Sequence, residues 1–196
     1  MKKFIILFVV LLSFGAVNTF AQCPPDSLPG ASPYMGAWVK DSCVTIKVPK
    51  TSNPSDSCDW NVCYCYRVGG LTAPFVEVYV YASAYVDTCN PFNVTEDANL
   101  ILGKEILKKN PRNHYWPCPP CDEGSGAPNR RIIVTGCRTK LFPYPSCNAG
   151  CCFYCAYDYE FCCDEDGTKH LTLVNSTTVG TGVCPSNCEI GPCGPG

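Results

Sequence analysis

The chain has 196 residues, 18 of them cysteine, 18 proline and 16 glycine, with 15 basic side chains against 17 acidic ones. This balance, with no basic run longer than Lys108-Lys109 or Arg130-Arg131, argues against nucleic acid as a partner. The cysteine load and the proline and glycine punctuation exclude a coiled coil and a cytosolic enzyme built round a large oily core.

Lys2 and Lys3 precede an apolar stretch over residues 4–17, and Thr19-Phe20-Ala21 closes it with small residues where a signal peptidase reads. A removable signal peptide is therefore expected over residues 1–21. Its apolar run falls short of the roughly 20 residues that cross a bilayer. No later segment approaches that length, so the mature chain should hold no membrane span. Removing 21 of 196 residues leaves 175 with all 18 cysteines, and losing Lys2 and Lys3 leaves 13 basic side chains against 17 acidic, a net −4. The expected location is secreted, extracellular or at the cell surface, or the periplasm in a bacterial source.

Residues 22–36 read as a proline- and glycine-rich arm, anchored through Cys23 if that residue pairs. Val44, Ile46 and Val48 then alternate with Cys43, Thr45 and Lys47, a short strand that Pro49 should stop before a polar loop over 50–57. A second strand over 59–68 places Cys63 and Cys65 on one face and Val62, Tyr64 and Tyr66 on the other, until Gly69-Gly70 breaks it. Residues 75–87 give the clearest alternation: Val76, Val78, Val80, Ala82, Ala84 and Val86 against Phe75, Glu77, Tyr79, Tyr81, Ser83 and Tyr85.

Thr95 is the expected cap of a helix over 96–109, with Glu96 and Asp97 in its first turn. Lys104, Lys108 and Lys109 lie toward its end, and Asn110-Pro111 stops it. Gly103 in its middle costs about 1 kcal/mol relative to alanine. A long loop over 111–130 leads to a strand at 132–134. Residues 152–163 alternate again, with Phe153, Cys155, Tyr157, Tyr159, Phe161 and Cys163 facing one way. Asp166-Gly167 is a hairpin turn, residues 171–179 the returning strand, and 184–196 a cysteine-tied coil.

The fold class is β-rich α+β: one disulfide-stapled domain over 37–183, about six strands round one central helix, in the order βββ-α-βββ with long irregular loops. Segments 37–92 and 130–184 share an order of short apolar strand, cysteine-dense strand, further strand and closing cysteine, the outline of a degenerate repeat.

In an oxidising compartment all 18 cysteines should pair. They are Cys23, Cys43, Cys58, Cys63, Cys65, Cys89, Cys118, Cys121, Cys137, Cys147, Cys151, Cys152, Cys155, Cys162, Cys163, Cys184, Cys188 and Cys193. Neighbours on a strand point to opposite faces, so Cys162 and Cys163 should bridge to different partners, as should Cys151 and Cys152. Cys63 and Cys65, sharing a face, can hold two other segments side by side.

Cys118-Pro119-Pro120-Cys121 and Cys152-Phe153-Tyr154-Cys155 carry zinc-knuckle spacing, but 30 residues separate them and export favours oxidation. Trp116 ahead of Cys118 and Cys121 gives a superficial likeness to a thioredoxin-type site, and this pair is the redox alternative. The acidic loop after it opposes a stabilised thiolate. Asp164-Glu165-Asp166-Gly167 lacks the closing glutamate of a calcium loop, since Leu173 stands there. His114 and His170 lie beside no nucleophile pattern.

The leading expectation is an exported, non-catalytic, disulfide-rich structural or adhesion protein whose partner is an extracellular protein or glycan. No metal and no cofactor is expected. The alternatives are a secreted thiol-disulfide oxidoreductase using Cys118 and Cys121, and a glycan-binding module presenting Tyr79, Tyr81 and Tyr85 on a half-wet strand face.

Overall fold

The computed structural model describes residues 23–24, 28, 30, 34–50, 53–71, 74–86, 97–114, 116–122, 127–139, 153–180, 184, 188–190 and 193. The leader expected over 1–21, Thr95, Cys89, Cys147, Cys151, Cys152 and most of the C-terminal coil lie outside them.

In chain order the elements are β1 (Val39–Lys40), β2 (Val44–Lys50), β3 (Asn53–Gly69), β4 (Phe75–Tyr85), α1 (Ala98–Lys109), β5 (Arg130–Thr135), β6 (Cys137–Thr139), β7 (Tyr154–Cys163), β8 (Lys169–Val179) and β9 (Cys188–Ile190). The six long strands stand three before the helix and three after it, the order expected. The main sheet runs β1-β3-β4-β5-β7-β8, with β2 also paired to β3 beside β1. Every pairing in it is antiparallel except β4 with β5, the two strands joined through α1. Each half, β2-β3-β4 and β5-β7-β8, therefore follows the same antiparallel meander. A small second sheet pairs β6 with β9, so the tail contains a strand where only coil was expected.

Alternation decides the two faces. Val76, Val78 and Val80 of β4 join Ile132 and Val134 of β5 and Tyr157 and Tyr159 of β7 beneath Leu102, Ile106 and Leu107 of α1. Burying such side chains stabilises by about 1.5–3 kcal/mol each. On the opposite face Cys65, Tyr79, Tyr81, Ile133, Tyr154 and Ala156 pack with Leu28, and Cys23 and Trp38 lie against them. Cys23 and Leu28 of the arm, the first tied by Cys23–Cys65, thus lie on this second face.

Three local expectations change. Pro49 does not end β2, which continues to Lys50 and turns within two residues into β3 at Asn53. The strand lies at the sheet edge, where proline is tolerated, and the register shifts at Pro49/Lys50. Most of the polar loop expected over 50–57 is hairpin strand. The helix begins at Ala98 with Asp97 as its cap, the carboxylate accepting from the Asn99 N–H. An aspartate one residue before the first helical turn satisfies that orphan donor directly. Its end is as expected, with Asn110 in the left-handed conformation at φ 45°.

Gly103 also acquires a reason. A Cβ there would lie 2.6 Å from Ile132 Cγ2, so glycine lets the helix settle closely onto β5.

One polar row crosses the second face. Arg67 on β3, Glu77 on β4, Arg131 on β5 and Asp158 on β7 are successive cross-strand neighbours. The Arg67 Nε donates to Glu77 Oε2, and its Nη2 to the Leu28 carbonyl at 3.1 Å. Arg131 grips Asp158 with two bonds of 2.6 and 3.0 Å and lies 3.6 Å from Glu77. Trp38 covers Arg67, ring centroid 4.5 Å from the guanidinium carbon. Alternating signs and full pairing are what make buried charge tolerable.

Candidate functional site

The C-terminal end of β7 carries the adjacent Cys162 and Cys163, and the loop holding Cys118 and Cys121 runs beside it. Cys163 N–H donates to the Pro119 carbonyl at 2.9 Å, and Cys121 N–H to the Cys163 carbonyl at 3.2 Å. The disulfides are Cys118–Cys163 and Cys121–Cys162, with Cα separations of 5.7 and 4.9 Å. The local chemistry explains the pairing. An extended Pro-Pro step carries three residues over about 9 Å, beyond the roughly 4.4–6.8 Å a disulfide allows. The two loop sulfurs thus straddle the strand, and neighbouring cysteines on it face opposite ways to meet them.

This corrects the redox alternative. Cys118 and Cys121 are not bonded to each other; each belongs to a separate bridge to β7. Buried Arg130 reinforces the attachment, donating to the Pro117 carbonyl and stacking on Phe161 at 4.9 Å. Burial pushes its guanidinium pKa down to about 10.

Beside the bridges lies an open depression of about 610 Å³ lined by Cys118, Pro120, Cys121, Asp122, Cys163, Asp164, Glu165 and Asp166. His170, the cross-strand partner of Cys162 on β8, holds Asp164 Oδ2 through Nε2 at 2.7 Å. The Cys121 sulfur, an Asp164 oxygen and a His170 nitrogen all lie within 4.8 Å of one another. Because the sulfur is in a disulfide, it offers no thiolate to a metal. Cys118, Cys121 and Cys155 of the zinc-knuckle spacings are all bridged, Cys155 to Cys193. Residues 164–167 form the expected hairpin turn, with Gly167 at φ 84°. Asp166 accepts from Thr168 N at 2.8 Å, and this backbone bond holds its carboxyl below the usual range.

A second cluster forms where α1 exits. The Asn110 side chain brackets the His114 backbone, donating to its carbonyl at 2.6 Å and accepting from its N–H at 2.9 Å. His114 Nε2 then lies 2.7 Å from Asp41 Oδ2 and 3.5 Å from the Tyr64 hydroxyl. Its ring stacks against Tyr66 at 4.3 Å and Trp116 at 5.3 Å. Burial opposes the charge of Asp41, but hydrogen bonds from Tyr64, His114 and the Ser42 backbone outweigh it and lower the pKa. Burial and the neighbouring carboxylate raise that of Tyr64, so the phenol stays a donor. The cluster latches the helix exit to the segment between β1 and β2.

The other bridges between described residues tie periphery to sheet: Cys23–Cys65, Cys43–Cys63, Cys137–Cys184 and Cys155–Cys193. Cys58 is also disulfide-bonded. Cys63 and Cys65 hold two different segments, as their shared face implied. The Tyr79 and Tyr81 expectation is corrected: they are 3% and 7% exposed, packed beneath the arm rather than half wet. The Tyr85 side chain lies outside the described residues. Asp41 and Tyr64 carried no local sequence signal, because their partner His114 arrives from beyond α1, whereas Asp164 and His170 meet across a single hairpin turn.

In comparisons with known proteins, the chain has no significant match to a protein-family model, a curated protein or a solved structure.

Proposed function

We propose that the chain is an exported, non-catalytic protein with a structural or adhesive role outside the cell, binding an extracellular protein or glycan. The observation that carries this reading is the double bridge at Cys118 and Cys121, which commits the redox candidate to fastening a loop onto β7. Support comes from the other bridges, which fasten the arm, the start of β2 and the tail to one sheet. Cross-linking of this density belongs to oxidising compartments and suits persistence there. No helix among the described residues is long and apolar enough to cross a membrane. Burial of Tyr79 and Tyr81 removes support from glycan binding through that face.

The test is to isolate the protein from the medium or cell surface of its source, sequence its N-terminus, and assay it for insulin reduction and on a broad hydrolase panel. A start at Gln22 and no turnover are expected. Retention inside the cell, or turnover abolished by a single point substitution, would overturn the reading.

A further inference from the structure

Among the described bridges, Cys121–Cys162 has a feature that a purely structural staple does not need. Its Cys121 sulfur shares a space within 4.8 Å with the His170 imidazole, which Asp164 orients through a 2.7 Å contact. His170 and Asp164 are about half exposed, and Cys121 and Cys162 are only partly buried, at the edge of the open depression. A sulfur leaves a disulfide faster when its departing thiolate is stabilised, and an imidazole beside it can offset the carboxylates that line the depression.

We infer that Cys121–Cys162 is a thiol-disulfide exchange site, through which an external thiol becomes covalently joined to the chain. An incoming thiolate attacks Cys162 Sγ in line with the existing bond. A new sulfur–sulfur bond forms to Cys162 as the bond to Cys121 breaks, and the electron pair departs on Cys121 Sγ. That thiolate rests beside the His170 imidazole and takes up a proton from solvent, replacing the one the incoming thiol released. One disulfide and one thiol enter, and one of each remain, so no oxidant or reductant is required. Cys118–Cys163 stays closed and keeps the loop on β7 throughout.

The lining selects the co-reactant. Asp122, Asp164, Glu165 and Asp166 place carboxylates round the approach, with His170 held by Asp164. A thiol carried among cationic groups is drawn in, and one among anionic groups is repelled. The partner chemistry is thus a cysteine flanked by basic residues.

The experiment adds the peptides Lys-Cys-Lys and Glu-Cys-Glu to the fully bridged protein, quenches by alkylation at intervals, and locates adduct and free thiol by mass spectrometry. Rates are normalised to thiolate concentration. The first species expected carries the peptide on Cys162 and the alkyl group on Cys121, and forms at least several-fold faster with the lysine peptide. His170→Gln should slow it about ten-fold, and His170→Arg, which places a fixed cation there, should restore most of the rate. Intact mass before thiol addition checks that both variants hold every bridge. Adduct appearing first at another bridge, equal rates for the two peptides, or an unchanged rate in His170→Gln would each overturn the assignment.

Discussion

Arg67 and Glu77 face each other across β3 and β4 with 3% and 0% of their surfaces exposed, a buried ion pair in a sheet otherwise packed with valine and tyrosine. Glu77 also lies beside Arg131, whose other contact is Asp158, so a row of four alternating charges spans four strands. Removing one member strands its neighbour. Glu77→Gln should cost about 3–5 kcal/mol, as expected when a buried charge loses its partner. Urea denaturation with the disulfides intact measures it, and a cost below about 1 kcal/mol would show that the row contributes little.

At Gly103 two effects oppose each other. Alanine would favour the helix by about 1 kcal/mol, but its methyl would meet Ile132 Cγ2 at 2.6 Å. Overpacking of this kind costs about 1–3 kcal/mol, so Gly103→Ala should lower the thermal midpoint. A raised midpoint would mean the helix rides further from β5.

Asp41 makes stability depend on pH. Its carboxyl pKa is lowered in the folded chain, so the stabilisation is full above the unfolded value near 4 and is lost as pH falls through the lower folded value. Asp41→Asn should therefore cost about 1–3 kcal/mol at neutral pH, the worth of hydrogen bonds to a charged group. The gap from the parent chain should narrow steadily below about pH 4. Denaturation curves across pH 2–8 read both; a gap independent of pH would place the effect elsewhere.

The arm's covering role has its own consequence. Replacing Cys23 and Cys65 together by alanine removes the tie to β3 and should cost about 2–4 kcal/mol. It should also admit a small quencher to Tyr79 and Tyr81, which raises their contribution to tyrosine quenching. Unchanged quenching would mean that Leu28 and Trp38 hold the arm without the bridge.

Much of this architecture was readable where a period runs undisturbed. Val76, Val78 and Val80 sit on the core and Tyr79 and Tyr81 on the other face, as alternation requires, and Cys63 with Cys65 reached two segments from one face. A register shift at Cys63 and Tyr64 then interrupts the pairing, and Ala82, Ala84 and Val86, expected in the same row, are exposed. Wherever meaning depended on the neighbour, sequence fell silent. Tyr79 and Tyr81 looked half wet because nothing in 75–87 reveals that Cys23, Leu28 and Trp38 pack against them. Arg67, Glu77, Arg131 and Asp158 are spread over 91 positions and become a row only through strand register. Pro49 stops a strand in the middle of a sheet but not at its edge, and edge position is a property of topology. The redox likeness of Cys118 and Cys121 failed for a related reason: a two-residue gap fixes spacing along the chain, not which sulfur lies opposite.

The measurement that bears most directly on the whole is a disulfide map of the exported protein. It would be alkylated unfolded without reduction, digested, and sequenced by fragmentation that separates Cys162 from Cys163. The expected map shows Cys118 joined to Cys163, Cys121 joined to Cys162, and neither in the alkylated form. A Cys118–Cys121 bond, or free thiols at those two positions, would contradict the clamp and return the pair to redox chemistry.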